Sequence, residues 1–407
     1  MVWPDNLTAL VSEYLPFGID WLPKGTCLVG GAVRDALLNR QRDYLDLDLV
    51  LPSFAVETAR KIANAFQVGF VVLDDRRQIA RVVFEQGTVD FALQEGADLE
   101  ADLRRRDFTV NAIAYDLLQS VLFDPVGGMV DLDRRCLRMV SLKNLSDDPL
   151  RLLRAYRQSA QLDFTLDGAT QSALRQLAPL IGTMAAERVQ TELNYLLSHR
   201  RGLGWLKIAW EDGLIKPWLP TVTAEKLDFA VQIDPIALKL EQETAYHFIP
   251  HYQRLGKLTC LVAQNSQNAE QELVRLKYSR SEIRTVLTVL RSLPIFHQAA
   301  LPLALKDQYL LFLEVGKVFP VFALVAIAMG CDRLTIIALL HRFLDPSDPV
   351  AHPRALVTGK DLIEQLQIKP SPLVGKLLTA LQIAQVEGKI QTPDQAIIYA
   401  RSLLPKF

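Results

Sequence analysis

Asp46 and Asp48 stand two apart in "LDLDLV", with Leu45, Leu47 and Leu49 interleaved. In an extended strand, residues i and i+2 share a face, so both carboxylates project to one side and the leucines to the other. Adjacent carboxylates repel unless something positive lies between them. Mg²⁺ suits the position, because it takes one or two carboxylates and completes its shell with water and substrate phosphate oxygens. Asp43 offers a competing carboxylate, but only Asp46 and Asp48 share a strand face with one residue between them. A lone D-x-D is more often a solvated strand face, so its neighbours must decide.

Upstream lies "LVGGAVRD" (28–35), which reads as a strand ending in a glycine turn and followed by a short helix. Gly30 and Gly31 would let backbone N–H groups approach a triphosphate, and Arg34, one turn on, could clamp the same phosphates. Downstream, "IARVVFEQGTVDFALQ" (79–94) predicts a hairpin around Gln86-Gly87. Asp90 on its second strand is expected as a third carboxylate that could deprotonate an attacking hydroxyl. "RRRDFTVNA" (104–112) runs three arginines into Asp107, and "FDPVGGMVDLDRRCLRMV" (123–140) is a glycine turn between acidic and basic ends. In "DDPLRLLRAYRQSAQL" (147–162), Asp148 before Pro149 predicts a helix start, with aspartate at the cap and proline at the first position. Arg151, Arg154 and Arg157 then cover one side of that helix.

Strand signals fill residues 26–140, and nearly everything after them follows helical spacing. The expectation is an α/β head with a mixed sheet, followed by an all-α neck, body and tail, at 1–140, 141–205, 206–345 and 346–407. The Pro/Asp-rich "FLDPSDPVAHPRA" (343–355) marks the junction before the tail. At 407 residues, half of them apolar, the chain can bury several cores. A formal net charge of −1 supplies no general basic field, although local arginine clusters can still bind phosphates. The four cysteines show no metal-ligand spacing and read as buried thiols of a reducing compartment. The N-terminal stretch lacks the charge-then-apolar pattern of a signal peptide, and "VFPVFALVAIAMGC" (318–331) is short for a membrane span. A soluble cytoplasmic protein is expected. "HFIPH" (247–251) has metal-like histidine spacing but no H-E-x-x-H glutamate, and Pro250 is expected to break a helix there.

Six motifs occur in order: G-G-A-V-R-D (30–35), D-L-D (46–48), R-R-D-F-T-V-N-A (105–112), D-P-V-G-G-M-V-D-L (124–132), D-D-P-L-R-L-L-R (147–154) and E-R-V-Q-T-E-L (187–193). Together they resemble the class II tRNA nucleotidyltransferase family, which includes CCA-adding enzymes and bacterial poly(A) polymerases. Residues 357–390 are similar to a C-terminal segment common in these enzymes. The resemblance implies that Asp46 and Asp48 bind catalytic Mg²⁺, Gly31 and Arg34 hold the triphosphate, and Arg105 contacts the nucleotide. Asp148 and Arg151 would form a protein template for the incoming base, with Arg154 and Arg157 nearby. Asp147 stands where the family usually has glutamate.

Donors and acceptors support that template. Cytosine and adenine both present an amino donor beside a ring-nitrogen acceptor, which match a carboxylate and a guanidinium. Uracil and guanine invert the pattern and are rejected. The implied partners are the tRNA 3′ acceptor end, CTP and ATP. Between Asp90 and Arg105 the chain is only "FALQEGADLEADLRR", whereas many CCA-adding members carry a longer flexible loop there. The short form resembles members that add two cytidines and stop, leaving adenosine to a separate A-adding enzyme. A full CCA-adding enzyme, an A-adding enzyme or poly(A) polymerase of the same family, and a catalytically silent RNA-binding relative are the alternatives.

Overall fold

The computed structural model describes residues 15–40, 45–298 and 302–404. Asp43 and the N-terminal residues 1–14 lie outside them.

After a 3₁₀ turn at Ile19–Trp21 come β1 (Cys27–Val29), α1 (Gly31–Leu37), β2 (Leu45–Leu51), α2 (Ala55–Phe66), β3 (Gly69–Asp74), β4 (Ile79–Phe84) and β5 (Gly87–Leu93). α3 (Leu99–Arg104), β6 (Ala114–Asp116), β7 (Val121–Phe123) and α4 (Gly128–Asp133) follow. Seven strands form one mixed sheet in the order β3-β4-β5-β2-β1-β6-β7. Only the β2–β5 pair is parallel, because α2 and the β3–β4 hairpin carry the chain across before β5 returns beside β2.

Period-2 patterning decides which face of the sheet is covered. Val89, Phe91, Ala80 and Val82 are buried beneath α2, whose Val56, Ala59, Ile62 and Ala63 supply the matching stripe, and the buried Leu47 and Leu49 share their face of the sheet. Each such large apolar side chain contributes about 1.5–3 kcal/mol on burial. Leu49→Ala would cost about 2–5 kcal/mol through the void it leaves. The intervening residues Asp46, Asp48, Thr88, Asp90 and Arg81 line the opposite face.

β8 (Cys136–Leu137), α5 (Leu142–Asp147), α6 (Leu150–Leu162), β9 (Thr165–Leu166) and α7 (Gly168–Leu177) come next, followed by a 3₁₀ turn at Ala178–Thr183. β8 and β9 pair in parallel, so the region after residue 140 is less purely helical than its spacing suggests. The remaining elements are helices: α8 (Ala186–Ser198), α9 (Gly202–Glu211), α10 (Ala224–Thr244), α11 (Pro250–Leu261), α12 (Ser266–Arg275), α13 (Arg280–Gln298), α14 (Leu305–Val315), α15 (Phe319–Ala328), α16 (Arg333–Leu344), α17 (Gly359–Leu366), α18 (Pro372–Val386) and α19 (Pro393–Leu403).

The chain divides into two compact units, Met1–Glu192 with Ile208–Pro217, and Leu193–Lys207 with Trp218–Phe407. α15 is buried in the second unit, as its apolar sequence predicts. By length and composition Leu305–Ala328 could cross a membrane, but Gly316, at φ +46°, divides it into α14 and α15. The Pro/Asp-rich 345–357 segment is irregular, and beyond it Leu362, Leu377, Leu381 and Ala400 form a core of their own.

Three local expectations need correction. Pro250 begins α11 and does not break a helix, consistent with its fixed φ and missing N–H. Helix α6 starts at Leu150, one residue later than an Asp148 cap implies, although the Asp148 carboxylate still accepts from the Leu150 N–H at 3.3 Å. Cys27 and Cys260 are buried, whereas Cys136 and Cys331 are half-buried.

Candidate active site

Sheet register builds the first part of the site. Asp46 lies opposite Thr88 and Asp48 opposite Asp90 across the parallel β2–β5 pair, so all four side chains share one face of the sheet. The Thr88 hydroxyl donates to Asp46 Oδ1 at 3.1 Å. Arg81, opposite Asp90 on β4, grips both Asp90 oxygens at 2.6 and 2.8 Å. That bidentate pair raises the Arg81 pKa above its ordinary value against the opposing effect of burial, and the charges of Asp46 and Asp48 add to the rise. Asp90 is therefore beside the carboxylate pair, as expected, but its oxygens already neutralise an arginine.

Among the described residues, no group of three or more Asp, Glu, His or Cys side chains is arranged to hold a metal ion. The donor set that does face outward is two carboxylates on one strand. Such a set fits a hard divalent cation that draws its other ligands from phosphate and water.

The second part lies at the end of β1. Gly30 has φ +72° and ψ −137°, a backbone state that strains any L side chain. A Cβ there would also stand 3.3 Å from Asp48 Oδ2 and 3.4 Å from Arg106 Nη1. The glycine thus lets a carboxylate and a guanidinium close around one backbone turn, with Gly31 opening α1. Arg34 is nearly buried; its Nε donates to Asp35 Oδ1 at 2.8 Å and its Nη1 to Asn111 Oδ1 at 2.7 Å. Arg105 points along α3, donating to the fully buried Asp102 at 2.9 Å and pairing with Glu95 at 3.3 Å. Arg106, which the sequence reading passed over, is the arginine of the run that lies beside Gly30.

The third part is α6 and its surroundings. Arg151 Nη1 donates to the Arg105 and Asn144 carbonyls, both at 2.9 Å, and burial lowers its pKa despite the nearby charges of Asp107 and Asp148. Asn144 in turn donates to the Arg104 and Arg106 carbonyls at 2.7 Å, so the arginine run is clamped through its backbone. Asp148 Oδ2 accepts from Arg188 at 3.0 Å. Arg154 donates to Asp107 at 3.3 Å, and Arg157 donates to Glu192 at 2.5 Å and to Gln161 at 2.7 Å. Burial alone would raise the Asp107 pKa, but Arg154, the Asn111 amide and the Phe108 N–H outweigh it and hold the carboxyl below its ordinary range.

Asp148 and Arg151 are thus gathered at the start of α6, whereas Arg157 is turned into an ion pair. The supporting residues Asp102, Asn111, Asn144, Arg188 and Glu192 carried no independent chemical signal in the sequence. Two of them belong to the sixth motif, whose function is visible only here: Arg188 meets Asp148, and Glu192 meets Arg157. The glycine pair of 127–128 is likewise structural. A Cβ on Gly128 would lie 2.2 Å from the Thr109 carbonyl, which is packed there while the Thr109 hydroxyl donates to Asp131 at 2.6 Å.

Comparison with known proteins supplies the family. Residues 26–138 match the family model "Poly A polymerase head domain", 163–226 match a polymerase A model for an RNA- and SrmB-binding site, and 247–400 match a model of tRNA nucleotidyltransferase domain 2. The CC-adding tRNA nucleotidyltransferase of Synechocystis is 50% identical, with 99% of each chain covered. Its counterpart in Geobacter sulfurreducens is 31% identical, covering 97% of this chain and 96% of its own. The Thermotoga maritima CCA-adding enzyme complexed with tRNA shares the fold at a TM-score of 0.70 and 20% identity, over 93% of this chain and 91% of that one. The mixed-sheet head, the helical remainder and these full-length relatives establish that the chain is an enzyme of the class II tRNA nucleotidyltransferase family.

Proposed function

We propose that this enzyme adds two cytidines from CTP to the tRNA 3′ end, releases pyrophosphate at each step, and stops. The observation that carries this reading is the connection between β5 and α3. It consists of residues 94–98 alone, and it is bonded at both ends. The Gln94 N–H donates to the Leu51 carbonyl at 2.8 Å, the Glu95 N–H to Asp102 at 3.1 Å, and Asp98 caps α3 through the Ala101 N–H at 2.8 Å. Gly96, at φ +96°, brings the chain so close that its Cβ would sit 2.7 Å from Ala101 Cβ. A segment this short, and bonded at both ends, has little slack with which to rearrange a template between cytosine and adenine. The 50% identity to a CC-adding relative supports the same conclusion.

In this reading Asp46 and Asp48 hold Mg²⁺. When bound, the metal supplies charge neutralisation for the triphosphate and favours ionisation of the attacking primer 3′-hydroxyl. Gly30 leaves room for the phosphates, Gly31 presents the start of α1, and Arg34 and Arg105 supply positive charge. Asp148 accepts from the cytosine amino group while Arg151 donates to the ring nitrogen, with Arg154 and Arg157 bracing the helix. Asp90 serves as the third carboxylate only if Arg81 yields one of its oxygens. The helical neck, body and tail, with boundaries near 140, 205 and 345, would hold the acceptor arm by shape and phosphate contact. The enzyme would act in the cytoplasm, and a separate A-adding enzyme would complete the end. Extension of tRNA transcripts ending before CCA, after C and after CC, each with CTP, ATP or both, tests the proposal. Stopping at CC in the presence of ATP supports it, and growth to CCA rejects it.

A further inference from the structure

Asn111 sits between the two parts of the site that grip opposite ends of a nucleotide, yet it belongs to neither. Its Oδ1 accepts from Arg34 Nη1 at 2.7 Å, and its Nδ2 donates to Asp107 Oδ1 at 2.9 Å and to Gln158 Oε1 at 3.0 Å. Asp107 and Gln158 face α6: the other Asp107 oxygen accepts from Arg154 at 3.3 Å, and Gln158 is itself an α6 residue. Asn111, Asp107 and Gln158 are all buried, at 6–7% exposure, so water does not readily replace a lost partner.

The chemistry of the bridge is specific. One side of the amide must accept from a cation and the other must donate to an anion, and the charges on the two sides fix which way it points. A carboxylate in its place would satisfy Arg34 but repel Asp107. An aliphatic residue would satisfy neither.

An incoming nucleotide has a fixed reach from base to triphosphate, so its two grips must stay in register. We infer that Asn111 is a positioning residue that sets this register, tying the phosphate-side arginine to the base-selecting helix. Choice of base then depends on an amide that contacts neither base nor phosphate. The inference rests on the roles given above to Arg34, Asp148 and Arg151.

The test measures kcat/KM for CTP and UTP on a tRNA lacking CCA, together with inhibition by pyrophosphate, in Asn111→Ala and Asn111→Asp. Both variants should lose about tenfold in preference for CTP over UTP, the size expected for a buried, charge-assisted hydrogen bond. Asn111→Asp keeps the partner of Arg34, so pyrophosphate should inhibit it within about twofold of the wild type, whereas inhibition of Asn111→Ala should weaken. A purely structural role would lower thermal stability and leave the CTP/UTP ratio unchanged, and that result in folded variants overturns the inference. If both Asn111 variants fail to fold, Gln158→Met decides. It removes one of the two acceptors, and a CTP/UTP ratio reduced about threefold supports the inference, while an unchanged ratio overturns it. A wild-type enzyme that adds no nucleotide to any of the tRNAs would reject the functional reading itself, a result distinct from either.

Discussion

Asp46 and Asp48 owe their positions to strand register, whereas Asp148 and Arg151 owe theirs to side-chain hydrogen bonds. On the metal side, the backbone ladder of β1, β2 and β5 fixes the carboxylates, with the Thr88 hydroxyl bonded to Asp46 and the Arg81–Asp90 pair alongside. On the base side, almost every group is braced by another. Arg151 leans on two backbone carbonyls, Asp148 on Arg188, and Arg154 on Asp107. The contrast follows from the work each side would do. Metals need a rigid pair of like charges that tolerates water. Choosing a base needs donors and acceptors pre-aimed in a drier setting, where a mismatch is costly.

That contrast can be broken from either side. The largest effect should come from Asp48→Asn, and likewise Asp46→Asn. Either should lower kcat on the order of a thousandfold, because charge for the cation is lost while the ladder is untouched. Thermal unfolding should show no destabilisation, since relieving a like-charge pair does not weaken the sheet. A variant that unfolds would mean that the carboxylates belong to the fold and not to the chemistry.

Gly30→Ala comes next. The positive φ and the 3.3 Å approach to Asp48 predict a displaced turn and a loss of roughly a hundredfold in kcat/KM. Wild-type kinetics in this variant would show that the turn does not position the phosphates.

On the base side, Asp148→Asn keeps the shape of the side chain but replaces one acceptor with a donor. It should reduce the CTP-over-UTP preference by about tenfold while leaving pyrophosphate inhibition unchanged. Loss of pyrophosphate binding instead would place Asp148 on the phosphate side and erase the distinction.

The smallest effect is a pH dependence of stability. The folded state holds the Asp107 pKa below its unfolded value, so its ion pair stabilises the protein above the ordinary carboxylate pKa. That contribution is lost as pH falls below about 4 toward the lower folded value. Melting temperatures from pH 7 down to pH 3 should therefore fall less steeply in Asp107→Asn than in the wild type. Parallel curves would indicate that Asp107 carries no such linkage.

The same contrast explains what the sequence made legible. A period of two needs no tertiary information, so the shared face of Asp46 and Asp48 and the covered face of Leu47 and Leu49 could be read directly. The β4–β5 hairpin was legible for the same reason. That Asp90 lies opposite Asp48 depends on a crossover, and only its neighbourhood could be anticipated. Its capture by Arg81, nine residues earlier on β4, had no local signature. Asn111 is farther still from a readable signal, since its partners Arg34 and Gln158 are 77 and 47 residues away in the chain. Arg105 and Arg106 are adjacent and chemically identical, and which of them turns toward Gly30 is decided by how Asp102 and Asn144 hold the end of α3.

The most direct test of the account is extension of a tRNA that already ends in CC, with ATP present and the Asp46→Ala/Asp48→Ala double variant as control. The short 94–98 connection, bonded at both ends, predicts no adenosine addition, while the same enzyme preparation extends a tRNA lacking CCA by two cytidines in a metal-dependent manner. Efficient addition of adenosine to the CC end would contradict it, and would show that the template changes its base without slack in that connection.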